Sequence, residues 1–392
     1  MRLKGFTLRY GRTQVFFGAG SIAMLEEHLR RFSRVLVLTG RRGALSSGAL
    51  GDFQKIASRL GLQVSLYQGV EPNPSVETVD KVAEAAWRGG ADCLVALGGG
   101  SVIDTAKLAS VVAVCGCAAR DYLEGRCSPC GSLPVIAVNL THGTGSEVDR
   151  YSVISDNSSR VKLGLASDYF YPMVSVDDPT YTLTMPREQI VYTSLDALYH
   201  FIEASTSRAS SPMVTTLASE GVKLIARYLP RALNKPEDVE ARYWLMYAAL
   251  TAGIAIDNAR THVIHVLEHV LTGLNQSLAH GAGLAILGPA AIKHICSEAL
   301  ETCSSILQPL LEPGESGDNP EVFARALARF QESLGFAESL RSYGFSTDHA
   351  EEVVERALEL FPVQLSLSPV AVSRELLKSI YLESLDSSRQ AT

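Results

Sequence analysis

The stretch DCLVALGGGSVIDTAKLASVVAV, residues 92–114, joins an unbroken apolar run to a triple glycine and then to a helical pattern. A continuous run suits a strand whose sheet is covered on both faces, the usual condition of a parallel sheet. Gly98, Gly99, Gly100 and Ser101 fall where strand gives way to helix. Glycine lets a backbone approach a phosphate closely, and a helix N-terminus offers N–H groups and a favourable dipole. Ser101 and Asp104 also have the spacing of a capping box. Gly98 to Ser101 and Asp104 are therefore candidates for holding a phosphate. The spacing is not G-x-G-x-x-G, so the usual dinucleotide fingerprint is absent.

Outward from this unit the pattern repeats. Upstream, residues 3–9 and 13–17 read as short strands, and Ser21 can cap the helix IAMLEEHLRRF. RVLVLTG (34–40) is another buried-type strand, followed by the loop RRGALSSG, and LQVSLYQGV (62–70) is the next strand. EPNPSVETVDKVAEAAWRGG carries an amphipathic helix. Downstream, PVIAVNL (134–140) and strand-like pieces in YSVIS, KLGLA and PMVSVDDP lead to Pro186. Beyond it only helical periodicities follow, at 187–207, 211–230, 236–256, 262–272, 282–300, 320–334 and 347–361. The expected fold is an α/β doubly wound, Rossmann-like dinucleotide-binding domain over 1–186, then an all-α metal-binding domain over 187–392.

A chain of 392 residues is long enough for two cores. Its 46% hydrophobic and 20% charged residues are those of an ordinary globular protein, and a net charge of −7 argues against nucleic acid as the main partner. No run of eighteen apolar residues suggests a membrane span, and MRLKGFTLRYGRTQVFF lacks the apolar core of a secretory signal. The expectation is a cytoplasmic protein. Seven cysteines cannot all pair, and four crowd together as Cys115, Cys117, Cys127 and Cys130. They are read as buried free thiols, with a disulfide or a second metal as the alternatives.

The helical half concentrates histidine. Four of the nine lie in THVIHVLEHVLTGLNQSLAHG (261–281), at 262, 265, 269 and 280. A fifth, His200, follows Asp196 by four residues in SLDALYHFIEA. Residues at i and i+4 share a helix face, so Asp196 pairs with His200 and His265 with His269. One carboxylate with three imidazoles suits a divalent first-row metal, Fe(II) or Zn(II).

These motifs carry a resemblance. DALYHFIEA, then HVLEHVLTG and AHG, resemble the iron-containing (group III) alcohol dehydrogenases; EPNP, GGGSVIDTAK and THGTGSEV are similar to that family's cofactor motifs, in the same order. The likeness spans roughly residues 10 to 295. It implies a metal held by Asp196, His200, His265 and His280, with His269 lining the active site. It implies a nicotinamide cofactor near Asn73, Thr141, Thr144 and Lys162. The expected enzyme passes hydride between that cofactor and a small alcohol or aldehyde, and works as a homodimer or larger homo-oligomer. Alternatives within the superfamily are a glycerol-type zinc dehydrogenase, an oxo-acid reductase and, more distantly, a metal lyase similar to dehydroquinate synthase.

The chain departs from the family where Leu140-Thr141-His142 replaces Thr-Thr-Ala and where Asp149 replaces Thr. A third departure concerns the nucleotide. An acidic residue after the relevant strand binds ribose hydroxyls and repels a 2′-phosphate. The family often has Asp there; this chain has Gly40, followed by Arg41 and Arg42. Arginine can fork onto a phosphate, so NADP(H) is expected. The alternative is a glycine kept for its turn, with NAD(H) as cofactor.

Overall fold

The protein, seen as a computed structural model that describes residues 3–389, divides into two compact units. The first comprises Met1–Pro186 and Lys235–Ile254, the second Arg187–Asn234 and Ala255–Thr392.

The first unit is built on a seven-stranded sheet. In chain order its strands are β1 (Phe6–Tyr10), β2 (Thr13–Phe17), β3 (Arg34–Thr39), β4 (Gln63–Gln68), β5 (Cys93–Gly98), β6 (Val135–Asn139) and, after a separate hairpin of β7 (Tyr151–Asp156) and β8 (Val161–Ala166), β9 (Val174–Asp177). The order across the sheet is β1-β2-β9-β6-β5-β3-β4, with only β1 antiparallel to its neighbour. Alternate residues of the apolar strands feed opposite layers. Val35, Val37, Val95 and Leu97 pack with Phe53 and Ile56 on one face, while Leu36, Leu38, Leu94 and Ala96 pack with Val79 and Ile103 on the other. Continuous apolar strands and helices on both faces thus have one cause. From β3 the chain steps out to edge strand β4 and then returns to β5 on the other side. The topological switch therefore lies between the ends of β3 and β5, where such sheets bind nucleotides.

Several local expectations change. The helix Ala49–Leu60, which the sequence reading passed over, buries Ala49, Phe53 and Ile56 and is bounded by Gly48 and Gly61, both with positive φ. Ser21 does not cap a long helix; a short 3-10 turn starts at that residue, behind Gly20. The four clustered cysteines are not free. Gly116, at φ 81°, ends the helix Gly100–Cys115, and the chain folds back through the short helix Ala119–Leu123. The return nests Cys117–Cys127 inside Cys115–Cys130. A third bridge joins Cys296 to Cys303, and Cys93 is the one free thiol among the described residues.

The expected helical domain also loses a segment. Lys235–Ile254 belongs to the first unit, against which the bare backbone of Gly253 and the Tyr243 ring pack. A Cβ on Gly145 would stand 2.3 Å from the Gly253 Cα, so two bare backbones meet there. Tyr243 packs edge-on to Phe17 and donates to the Lys4 carbonyl at 2.8 Å. Buried Arg242 lies 3.2 Å from His142 Nε2. The second unit is helical, led by Arg187–Thr206, Pro212–Asn234, Val263–Leu274 and His280–Glu298. Among the described residues no helix is long and apolar enough to cross a membrane.

Candidate active site

In the first unit the two glycine- and threonine-bearing motifs meet. A Cβ on Gly99 would stand 2.7 Å from the Thr141 side chain, and one on Gly100 would stand 2.5 Å from that of Thr144. Glycines are therefore needed for the β5 turn to nest against the 141–144 loop. Asn139 holds that loop: its side-chain oxygen accepts from the Thr141 backbone N–H at 3.1 Å, and its amide donates to Asp177 at 3.2 Å. The helix Gly100–Cys115 starts behind Gly99 with no side-chain cap.

The expected Ser101–Asp104 capping box does not form. Asp104 turns inward and accepts from Ser146 Oγ and, at 3.1 Å, from the Val153 N–H. Burial raises its pKa. An anion site gains from this, since a charged carboxylate no longer faces the helix start. Asp104 is thus a structural residue rather than a phosphate contact.

Asn73 sits at φ 51° in the loop after β4. The β7–β8 hairpin is pinned beside that loop by the Ser155 N–H donating to the Pro74 carbonyl at 2.8 Å. Lys162 lies opposite Ser155 in the hairpin, so Asn73 and Lys162 come to one neighbourhood. Gly40 follows β3 with no positive φ, and a Cβ there would meet only Val70 O at 3.7 Å and Val102 Cγ2 at 3.9 Å. The turn does not require glycine. A side chain at position 40 would stand beside the helix that begins at Gly100.

The family departures at 142 and 149 have structural causes. Asp149 accepts from buried Lys107 at 2.8 Å and from the Tyr151 N–H at 2.8 Å. Burial pushes its carboxyl up to about 7 against the pull of Lys107. His142 is buried against Arg242, and burial followed by that guanidinium lowers its pKa to about 3. Both side chains hold the unit together rather than line the cradle.

The second unit gathers the carboxylates and imidazoles. Asp196, His200 and Glu203 lie on one face of Arg187–Thr206; His265, Glu268 and His269 lie on Val263–Leu274; His280 is the first residue of its helix. Three Nε2 atoms converge on Asp196 Oδ1, at 3.3 Å from His200, 3.5 Å from His280 and 3.7 Å from His265. The His200 and His265 rings stack at 4.8 Å. Gly281 allows this approach, since a Cβ there would lie 2.1 Å from the Tyr192 carbonyl oxygen. Gly281 belongs to the helix His280–Glu298 and serves close packing there.

The cluster fits a divalent cation. Asp196 Oδ1 and His265 Nε2 are buried without a hydrogen-bond partner, a costly state that a metal would relieve. Burial opposes ionisation of Asp196, but His200 and His280 hold its carboxyl well below the usual range. Burial lowers His200 to about 4, leaving a neutral ring. At His265 burial also works downward, yet Glu203 and then Asp196 raise it to about 9, a measure of the negative field there. Of the remaining histidines, His262 lies outside the cluster, its Nε2 3.1 Å from Thr206 Oγ1. His269 stands at the margin, its ring 5.6 Å from His280 and 5.9 Å from Phe361.

Sequence reasoning missed Glu203 and Glu268. Both are fully buried; Glu203 pairs with His265 Nδ1 and Glu268 with His280 Nδ1. Burial alone would push Glu203 up, but His262 and His265 bring it down to about 2. The signal was present: Glu203 falls seven residues after Asp196, and Glu268 lies between two histidines on an apolar helix.

A switch-point glycine cradle in one unit and a carboxylate–histidine cluster in the other are the parts of an enzyme that binds a nucleotide and a metal. The comparisons with known proteins agree. Residues 12–179 match the family described as iron-containing alcohol dehydrogenase, and residues 190–385 match its C-terminal domain. The chain belongs to this family, which bears out the fold class and the resemblance seen in the sequence. It is 36% identical over 391 residues to the long-chain primary alcohol dehydrogenase AdhA of Thermoanaerobacter ethanolicus, covering 97% of this chain and 98% of that one. It is 30% identical over 355 residues to the NADH-dependent butanol dehydrogenase A of Clostridium acetobutylicum, covering 88% and 91%. The solved structure of the archaeal halo-thermophilic Red Sea brine pool alcohol dehydrogenase ADH/D1 matches with a TM-score of 0.89 at 27% identity, covering 98% and 99%. The protein is an alcohol dehydrogenase in the broad sense of that family.

Proposed function

We propose that this enzyme interconverts primary alcohols and aldehydes, moving a hydride between the substrate's carbinol carbon and C4 of the nicotinamide. The observation that carries the reading is the convergence of three imidazole Nε2 atoms on Asp196 Oδ1 in a buried cluster. Asp196, His200, His265 and His280 would hold Fe(II) or Zn(II). When bound, such a metal polarises the substrate oxygen as a Lewis acid.

The chain's own groups supply the rest. Residues 1–186 with 235–254 serve as the nucleotide domain, and the second unit as the metal domain. Gly98, Gly99, Gly100 and the Gly100 helix start take phosphate, with Thr141 and Thr144 presenting hydroxyls beside them. Asn73 and Lys162 border the same cofactor. Gly40, with Arg41 and Arg42 next to it, favours NADP(H). The Clostridium relative is NADH-dependent by name, which makes NAD(H) the alternative to test. His269, partly exposed at the edge of the cluster, takes the alcohol proton towards solvent. The match to a long-chain primary alcohol dehydrogenase supports primary alcohols as the substrate class.

The test is a steady-state assay of the metal-loaded protein with primary aldehydes of graded length and either nucleotide. Metal-dependent nucleotide oxidation is expected. No turnover across the panel at full metal loading would overturn the reading. His269→Gln should keep metal and lower turnover; an unchanged pH–rate profile in that variant would remove the proton-relay role.

A further inference from the structure

We infer that Glu203 and Glu268 are positioning residues of the metal centre, each fixing which nitrogen of one ligand histidine faces the ion. The inference rests on the ligand assignment proposed above. An imidazole that ligates through Nε2 must carry its proton on Nδ1, and a carboxylate at Nδ1 selects that tautomer and locks the ring's direction. Glu203 stands at Nδ1 of His265 and Glu268 at Nδ1 of His280, and both are fully buried.

Each carboxylate is itself held. The helix Val263–Leu274 starts at His262 with no side-chain cap of its own. Glu203, from the Arg187 helix, accepts the N–H groups of His262 at 3.1 Å, Ile264 at 2.8 Å and His265 at 3.2 Å. One carboxylate therefore caps the helix and aims the ring that the helix carries. Glu268 accepts from Thr272 Oγ1 one turn on, and Gly283 packs on its side chain, where a Cβ would come within 2.8 Å of Cγ. The third imidazole is different. His200 Nδ1 has no hydrogen-bond partner, and its ring is held by stacking on His265. Two of the three ligand rings are thus carboxylate-oriented and one is packed.

Glutamine is the telling replacement, because it keeps size and one acceptor while offering an amide donor that opposes an Nδ1–H. The full-length chain, stripped of metal, is titrated with Co(II) as the probe, reading its visible d–d absorption and its affinity against a competing chelator. Glu268→Gln and Glu203→Gln should each bind Co(II) roughly 10–100-fold more weakly. The d–d bands should shift in both variants. Thermal unfolding of the metal-free forms should show little change for Glu268→Gln and a loss for Glu203→Gln, which also caps a helix. Should Glu203→Gln not fold, Glu268→Gln decides alone. His280→Ala separates the two levels of the argument. If it loses Co(II) while the glutamine variants bind with wild-type affinity and spectrum, the positioning role falls and the ligand assignment stands. If His280→Ala binds Co(II) as wild type does, the assignment falls and takes this inference with it.

Discussion

The two units bury ionisable groups in opposite ways. In the first, they largely find partners within the fold: Lys107 with Asp149, Arg242 with His142, and Asp177 with the Asn139 amide. Glu147 and the second carboxylate oxygen of Asp177 are exceptions, buried without a hydrogen-bond partner, and burial and Asp177 raise the Glu147 pKa. In the second, Glu203 and Glu268 occupy the Nδ1 atoms of two histidines, while Nε2 atoms gather around an unsatisfied Asp196 oxygen. A network that closes on itself stabilises a fold. One whose unsatisfied atoms share a single point is arranged for something to bind there.

The comparison breaks first, and with the largest effect, at the open cluster. Asp196→Ala or His280→Ala should abolish stoichiometric metal by elemental analysis and lower turnover by roughly a hundredfold or more, about 2.7 kcal/mol in the barrier. His262→Ala should keep its metal. Metal lost from His262→Ala and retained in His280→Ala would reverse the assignment. At the closed network the effect should be on stability alone. Lys107→Met strands a buried Asp149 and should cost roughly 3 kcal/mol in denaturant unfolding, with metal content unchanged.

A smaller effect separates the networks by pH. The folded pKa of His142, about 3, lies below its unfolded value of 6.5, so the unfolded chain takes up the proton first. Its contribution is complete above pH 6.5 and is lost as pH falls towards 3, roughly 2 kcal/mol of it by pH 5. His142→Gln, which keeps an acceptor for Arg242 and does not titrate, should flatten that part of the stability profile. An identical slope in both proteins would rule out His142 as its origin.

The smallest effect concerns the nucleotide. Position 40 has neither positive φ nor a close neighbour, so Gly40→Asp tests charge without strain. Wild type should favour NADPH over NADH in kcat/KM, and the variant should shift that ratio towards NADH by about tenfold, or 1.4 kcal/mol. A wild-type preference for NADH, or a ratio unmoved by the substitution, would leave Gly40 without a role in cofactor choice.

The elements most legible in the sequence were those whose burial follows chain periodicity. Runs such as Val35-Leu36-Val37-Leu38 divide between two hydrophobic layers with period two, and the chain can show that unaided. Histidines at helical spacing announced a cluster for the same reason. Ala49, Phe53 and Ile56 also recur at helical spacing, and their helix was passed over because Ser- and Gly-rich residues precede it. The nested bridges were misread because pairing depends on where the chain folds back after Gly116, not on parity or spacing.

By itself the sequence determined the alternation of strand and helix, the change to helix after Pro186, the glycine turn, and the Asp196–His200 and His265–His269 pairs. Each is local, set by backbone freedom or by which face a residue occupies. Tertiary structure alone decided that Lys235–Ile254 joins the first unit, through Gly145 meeting Gly253 and Arg242 meeting His142. It alone turned Asp104 inward and gave Glu203 and Glu268 their histidines. Those outcomes depend on groups far apart in the chain meeting where water is excluded. There a buried charge must find a partner, and the partner's identity is a property of packing, not of spacing.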